Sequence, residues 1–202
     1  MSMRELLLRI RALLLSLQEN RSSPLATAAA VALCLMEEGD VYLGNEAALP
    51  VSEVFQDAPD CRCVPGAWAC GAAYALQRAG NDRVAVALLR DDEDLEKAVR
   101  LAVNFSLPLI LLVSCAESGL EDLSQKVMPS DIITVPADGR DVMRLMPSLR
   151  LALDKAREGD GPTLIECVTD RLPDDPQQSE DALSRLDATL LYEGYAEPEE
   201  LA

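Results

Sequence analysis

Two apolar segments, "RVAVALL" at 83–89 and "LPLILLV" at 107–113, constrain the fold more than any other feature of the sequence. Between them, "DLEKAVRLAVNF" at 94–105 carries its apolar residues at helical spacing. Neither apolar segment alternates with polar residues, which indicates strands buried on both faces of a parallel sheet. We therefore predict a strand–helix–strand unit at the centre of an α/β domain.

Further segments extend this pattern on both sides. We predict strands in "DIITVP" at 131–136 and "TLIECVTDR" at 163–171, and a helix at 139–159 in which Pro147 marks a kink or a break. The chain is long enough for one such domain. We predict a single doubly wound α/β domain with a mostly parallel sheet over 1–202, divided into N-terminal helices at 1–39, an irregular segment at 40–65, a βαβ core at 66–172, and a C-terminal loop, helix and tail at 173–202.

The charge of the chain limits the kinds of partner that it is expected to bind. The net charge is -17, and the chain has no histidine. Binding to nucleic acid or to an anionic membrane surface requires basic residues, so both are disfavoured as partners. Without histidine, acid–base chemistry near neutral pH would depend on carboxylates, Cys, Lys or Tyr, or on another chain.

Cysteine usage and the N-terminus suggest a cytoplasmic protein. The six cysteines are irregularly spaced, and most of them lie in apolar segments of the sequence, which favours reduced thiols that fill the core. Cys61, Cys63 and Cys70 form the only cluster, and zinc there is disfavoured because no histidine or second C-x-x-C pair accompanies it. Arg9 and Arg11 interrupt the leucine-rich start, so we predict an amphipathic helix at 4–19 rather than a leader or a membrane span.

The predicted helix at 66–79 is unusually thin. Small residues recur along it, and they allow another helix or strand to approach closely. Tight packing inside the chain and a contact between subunits both explain this pattern, and we keep both readings. The interface candidates are Gly66, Ala69, Gly71 and Ala73.

The turn "RDDEDLE" at 90–96 follows the first central strand and precedes a helix. This is the place where α/β proteins usually hold a ligand. Its carboxylates suit the start of a helix, where they complement the dipole, and the alternative is a metal site. Arg90 would also suit an anionic ligand of a small binding module.

The order of segments resembles the alpha subunit of thiamine diphosphate-dependent 2-oxo acid dehydrogenases, in condensed form. "VPGAWACGAAYALQRAGNDRVAVALL" at 64–89 and "AVRLAVNFSLPLILLV" at 98–113 look like the elements that flank the family's cofactor turn. "DGPTLIE" at 160–166, followed by "TDRL" at 169–172, is the most specific match, and "LLYEGYAEPEELA" at 190–202 is similar to the family's C-terminal tail. The resemblance implies a thiamine diphosphate-binding-like fold.

The cofactor motif of that family fails residue by residue. Its G-D-G turn falls on Arg90, Asp91 and Asp92, and its asparagine pair falls on Cys115 and Ala116. Only the carboxylate of Asp91 is kept as a candidate metal ligand, since an alanine coordinates nothing and magnesium prefers oxygen ligands. The family's Tyr-Arg pair, which grips the diphosphate, would fall near 45–48, where neither residue occurs.

The resemblance implies a heteromeric assembly. We expect an alpha-like subunit without its own cofactor site and without catalytic residues, acting as the scaffold partner of a beta-like subunit in an α2β2-type complex. The alternative is an active subunit whose rearranged site, with thiamine diphosphate and magnesium at a subunit interface, is completed by the beta-like partner. The substrate does not follow from the residues.

Overall fold

The computed structural model describes residues 1–20, 25–44, 49–50, 64–91, 93–115, 131–168 and 182–201. In chain order the elements are α1 (Met3–Asn20), α2 (Ala26–Leu35), β1 (Val41–Leu43), β2 (Leu49–Pro50), α3 (Gly66–Ala79), β3 (Ala85–Leu89), α4 (Glu93–Asn104), β4 (Leu109–Cys115), β5 (Ile133–Asp138), α5 (Val142–Arg157), β6 (Thr163–Val168), α6 (Ala182–Tyr192) and a short 3₁₀ turn (Pro198–Glu200). None of the described helices is long and apolar enough to cross a membrane.

The described strands form one sheet in the order β2-β1-β3-β4-β6-β5. Only β2 runs antiparallel, along β1, and the other neighbours are parallel. The α/β class and the mostly parallel sheet are therefore confirmed. The prediction that 40–65 is irregular is wrong where β1 and β2 form, because strands of three and two residues are too short to give a periodic signal and are set by pairing with the sheet.

Apolar layers cover both faces of the sheet. One layer joins α1, α2, α5 and α6 to alternate strand residues such as Val86, Ile110 and Ile165. The other joins α3 and α4 to the intervening residues, among them Ala87 and Leu111. The central strands β3 and β4 are buried on both sides, as their continuous apolar runs predict.

Helix α5 passes through Pro147 without a break. It begins at Asp141, whose carboxylate accepts hydrogen bonds from the backbone N–H groups of Met143 and Arg144. Proline removes one backbone donor from the helix ladder. The helix nevertheless continues to Arg157, because its apolar face stays packed on the sheet through residues that include Leu145, Met146, Leu149 and Leu153. Of the two predicted effects of Pro147, the break is therefore wrong, and the kink stays a prediction.

A buried carboxylate ties the loop before β1 to β3. Asp40 is fully buried and accepts hydrogen bonds from the backbone N–H groups of Glu37 and Val84, at 2.8 Å and 2.9 Å. The guanidinium of Arg157, at the end of α5, donates to the same carboxylate at 2.8 Å. This network lies at the end of β3 opposite to the "RDDEDLE" turn, so it stabilises the fold without entering the candidate site.

The two ends of the described chain are held together by arginines of α1. Arg11 donates to both carboxylate oxygens of Asp187 on α6, at 2.6 Å and 3.2 Å, and to the backbone carbonyl of Leu201. Arg4 donates to the carbonyl of Tyr195 and to the carboxylate of Glu200. Because both contacts are charge-assisted, they fix α1 against α6 and the 3₁₀ turn.

Candidate functional site

The carboxyl ends of β3 and β4 bring the two halves of the predicted cofactor motif to one edge. Leu89 pairs with Val113 in this parallel ladder. Arg90 and Asp91 follow Leu89, just as Ser114 and Cys115 follow Val113, so both pairs lie at the same edge of the sheet. The turn is short, because α4 already begins at Glu93. The fold thus keeps the backbone arrangement of a ligand site at this edge.

The described side chains at this edge offer few of the ligands that magnesium prefers. Arg90 and Asp91 are exposed, whereas Cys115 is 8% exposed. Asp91 supplies the only carboxylate among these three residues, and the sulfur of Cys115 is a soft ligand that magnesium avoids. Within the described ranges, no three His, Cys, Asp or Glu side chains are grouped to hold a metal ion.

Several predicted positions fall outside the described residues. They are Asp92 and Ala116 of the motif, the segment 45–48 where a Tyr-Arg pair would fall, and two of the three clustered cysteines, Cys61 and Cys63. The prediction that the acidic residues 92–94 cap the helix is tested only in part by the described residues. Asp94 is exposed in the first turn of α4, and the side chain of Glu93 is not described. Capping by this run stays a prediction.

The diphosphate of the family's cofactor does not fit the described part of this edge. A diphosphate is bound where glycines let backbone N–H groups approach closely, and Arg90 places a long side chain at the first position of the turn. Asp91 adds negative charge beside that position. Among the described residues of the edge, one carboxylate, one thiol and one arginine supply fewer oxygen ligands than magnesium needs to be joined to a diphosphate.

Glu166 is a residue that the sequence analysis did not single out. It lies on β6 and is 1% exposed, next to Val113 of β4 and Pro136 of β5 in the sheet register. Ile165 and Cys167 face the layer of α5, so Glu166 points to the layer of α3 and α4. A buried carboxylate needs compensation by charge or hydrogen bonds. The signal for it was a lone glutamate inside the apolar run "TLIECV".

The small residues of α3 divide between two faces. Ala69 and Ala73 are completely buried inside the chain, and a Cβ at Gly66 would lie 2.6 Å from the Cβ of Ala98 on α4. Gly71 points outward, with no atom within 4 Å of the position that its Cβ would take. Of the interface candidates, Gly71 therefore lies on the exposed face, and the other three serve packing against α4 and the sheet.

The cysteines in the described residues are buried and are not joined in disulfides. Burial raises the pKa of the Cys34 and Cys70 thiols to about 11, and that of Cys167 to about 12. The Cys70 thiol also donates to the carbonyl of Ala98 at 3.4 Å. These three thiols stay protonated near neutral pH, so they are structural groups rather than nucleophiles.

Comparison with known proteins decides the family. A model of the dehydrogenase E1 component matches residues 64–201, which is more than half of the chain. The chain belongs to the dehydrogenase E1 component family. This match runs from the start of α3 to the 3₁₀ turn and includes the edge formed by β3 and β4. The resemblance that the sequence motifs carried is thereby confirmed, and the chain is an E1 alpha-like protein.

Two relatives show how much of the length of such proteins this chain covers. The chain is 31% identical over 157 residues to the 3-methyl-2-oxobutanoate dehydrogenase subunit alpha of Mycobacterium tuberculosis, covering 66% of this chain and 43% of the relative. It is 28% identical over 117 residues to the pyruvate dehydrogenase E1 component subunit alpha of Staphylococcus aureus, covering 51% of this chain and 32% of the relative. The chain thus spans less than half the length of these relatives.

Proposed function

We propose that this E1 alpha-like chain is a subunit of a 2-oxo acid dehydrogenase-type complex that lacks its own cofactor site and serves as the structural partner of a beta-like subunit. The proposal combines the family membership with the chemistry of one edge of the sheet. It includes a single α/β domain, an α2β2-type assembly and a cytoplasmic location, the last supported by the buried thiols that are not joined in disulfides.

The observation that carries the proposal is that Asp91 and Cys115 follow Leu89 and Val113, the last paired residues of β3 and β4, and so lie at the same carboxyl edge of the sheet. Strands β3 and β4 end side by side, and among the described residues that follow them the side chains of Asp91 and Cys115 offer one carboxylate and one buried thiol. Magnesium is held by several hard oxygen ligands in a near-octahedral arrangement. The sheet is therefore retained for packing, and the chemistry of the edge is not that of a diphosphate-bound cation.

A second candidate function is an active subunit whose rearranged site is completed by the beta-like partner. Asp91 favours it, because this carboxylate is exposed at the edge and oxygen is the ligand that magnesium prefers. Catalytic groups would then come from that chain, since this one has no histidine.

Reconstitution with a beta-like subunit from the same organism tests the proposal. The wild-type chain and Asp91→Ala are each co-expressed with that subunit, and the mass of the complex and its oxidative decarboxylation of 2-oxo acids are measured. We expect both chains to enter the complex equally and neither complex to be active. Activity that disappears with Asp91→Ala would establish the second candidate, and failure of the wild-type chain to enter any complex would refute the subunit proposal itself.

A further inference from the structure

Strands β6 and β5 end at the carboxyl edge of the sheet beside two arginines. Asp138, the last residue of β5, pairs in register with Val168 at the end of β6. Nε of Arg140 donates to one carboxylate oxygen of Asp138 at 3.2 Å, and Nη1 of Arg185 lies 3.9 Å from the other oxygen. One carboxylate therefore stands between two guanidinium groups.

Two helices begin beside these arginines. Helix α5 begins with Asp141 as its cap, and Arg144 in its first turn places Nε 3.5 Å from the carboxylate of Asp141. Arg185 is the fourth residue of α6, whose first turn contains no acidic residue. The N-terminus of a helix carries partial positive charge, so both helices add to the positive charge of the arginines. We call Arg140, Arg144 and Arg185 the arginine cluster.

The guanidinium of Arg185 has unused hydrogen-bond donors. Its Nε is sealed from solvent and has no hydrogen-bond partner among the described residues. The distance of 3.9 Å to Asp138 is an ion pair but exceeds the length of a hydrogen bond. The side chain is 32% exposed, so solvent still reaches part of it. Because a guanidinium carries five N–H donors and buried donors are nearly always paired, Arg185 is the member of the cluster that points to a ligand.

We propose that the arginine cluster binds a phosphate group at the carboxyl edge of β5 and β6, with Arg185 as its main contact. The three guanidinium groups come from the loop after β5, from α5 and from α6, so they approach a bound group from different directions. A tetrahedral phosphate presents oxygens to all of them, whereas a planar carboxylate presents two oxygens in one plane. Asp138 and Asp141 hold the arginines in place, and the three positive charges outnumber these two negative charges.

This site is separate from the edge formed by β3 and β4. Strands β4 and β6 lie between β3 and β5 in the sheet. Neighbouring strands are about 4.8 Å apart, so Asp138 lies roughly 14 Å from the end of β3. A chain with a net charge of -17 repels anions over most of its surface, which favours phosphate binding where arginines outnumber carboxylates. The inference therefore goes beyond the proposed function and does not depend on it.

Substitutions at Arg185 separate phosphate binding from the fold. Arg185→Met removes the guanidinium and keeps an apolar stem of similar length. Arg185→Lys keeps the positive charge but loses the planar fork that holds two oxygens at once. Arg78→Met is the matched control, because Arg78 is exposed on α3, on the other face of the sheet, and its loss changes the net charge by the same amount. Circular dichroism shows whether each variant is folded.

Titration of the full ¹⁵N-labelled chain with inorganic phosphate, followed by NMR at constant ionic strength, provides the test. We expect the backbone N–H resonances of residues 139–144 and 182–186 to shift saturably, with a dissociation constant of about 1 mM in the wild type and in Arg78→Met. For Arg185→Met and Arg185→Lys we expect binding at least about 10-fold weaker, because each loses charge-assisted hydrogen bonds. Acetate should likewise bind at least about 10-fold more weakly than phosphate, since it offers fewer oxygens.

Three results would each overturn this inference. They are the lack of a saturable shift up to about 20 mM phosphate, an unchanged affinity in a folded Arg185→Met chain, and acetate binding as tight as phosphate binding. The titration needs neither a beta-like subunit nor thiamine diphosphate, so each of these results would leave the proposed subunit function untouched.

Discussion

Replacing Gly66 with alanine probes the close approach of α3 to α4. The new Cβ would lie 2.6 Å from the Cβ of Ala98 and 3.2 Å from the carbonyl oxygen of Asp94. Carbon atoms prefer a separation of about 3.5–4.0 Å, so the helices must move apart by roughly 1 Å. Overpacking of this kind costs about 1–3 kcal/mol, because neighbouring side chains and backbone are displaced from their packed positions.

The same substitution at Gly71 has the opposite sign. An alanine Cβ there meets no atom within 4 Å, and alanine favours a helix over glycine by about 1 kcal/mol. Two Gly→Ala changes, five residues apart on one helix, are therefore expected to differ by about 1–3 kcal/mol in the free energy of unfolding, which is the cost of the overpacking at Gly66. The comparison removes uncertainty about helix propensity, since the chemical change is identical.

Urea unfolding followed by circular dichroism measures this difference. Each variant is measured at about 1 µM and about 50 µM, because self-association would appear as a dependence on concentration. The double variant Gly66→Ala with Ala98→Gly should recover at least about 1 kcal/mol relative to additivity, as expected for side chains in contact. If Gly66→Ala proves as stable as Gly71→Ala at the lower concentration, the close packing of α3 on α4 is wrong.

Three further perturbations test other parts of the fold. Asp40→Asn should lower the free energy of unfolding by about 3 kcal/mol, because it leaves the guanidinium of Arg157 without its buried charge partner. The control is Asp154→Asn: the exposed carboxylate of Asp154 lies 4.0 Å from the same arginine, and its loss should change the free energy of unfolding by less than about 0.5 kcal/mol. Equal effects of the two substitutions in urea unfolding would contradict this assignment. Arg11→Met should cost about 2 kcal/mol through loss of the bonds to Asp187 and the carbonyl of Leu201, and no change in the urea midpoint would show that α1 and α6 are held by apolar contacts alone. Burial raises the pKa of the Cys34, Cys70 and Cys167 thiols above their ordinary value of 9.0, so their contribution to stability is present below pH 9 and falls as the pH rises toward 11. Rapid alkylation of any of these three thiols in the folded chain at pH 8, located by peptide mass mapping, would contradict this burial.

The central sheet was predictable because its signals are local. The continuous apolar runs at β3 and β4 predict strands that are buried on both faces of the sheet, and the helix between them has a clear apolar side. The same holds for α2, whose residues from Ala26 to Cys34 are all buried. Gly80 ends α3 in the left-handed conformation that glycine adopts readily, with φ of 66°.

Features that depend on distant partners were not predictable. Strand β1 exists because Val41 to Leu43 pair with β3, a contact that leaves no periodic pattern in three residues. Helix α5 continues through Pro147, where a kink or a break was predicted, because packing of the helix on the sheet outweighs the local preference of proline. The small residues of α3 show the same limit, since only the fold separates Ala69 and Ala73, which face inward, from Gly71, which faces outward.

The candidate site was predictable in position and less so in detail. That β3 and β4 would end side by side follows from their parallel arrangement, so Asp91 and Cys115 were expected at one edge. The burial of Glu166 was not anticipated, because a glutamate in a strand reads equally well as an exposed edge residue. Which group compensates such a carboxylate is decided by tertiary contacts and leaves no mark in a single sequence.

The central claim is that this E1 alpha-like chain does not bind the cofactor of its family. Isothermal titration calorimetry with thiamine diphosphate and Mg²⁺ tests it most directly, on the purified chain and on its complex with a beta-like subunit. The account predicts no saturable heat in either sample, with wild type and Asp91→Ala indistinguishable. Micromolar binding that requires both Mg²⁺ and Asp91 would contradict it and would place a working cofactor site at the edge formed by β3 and β4.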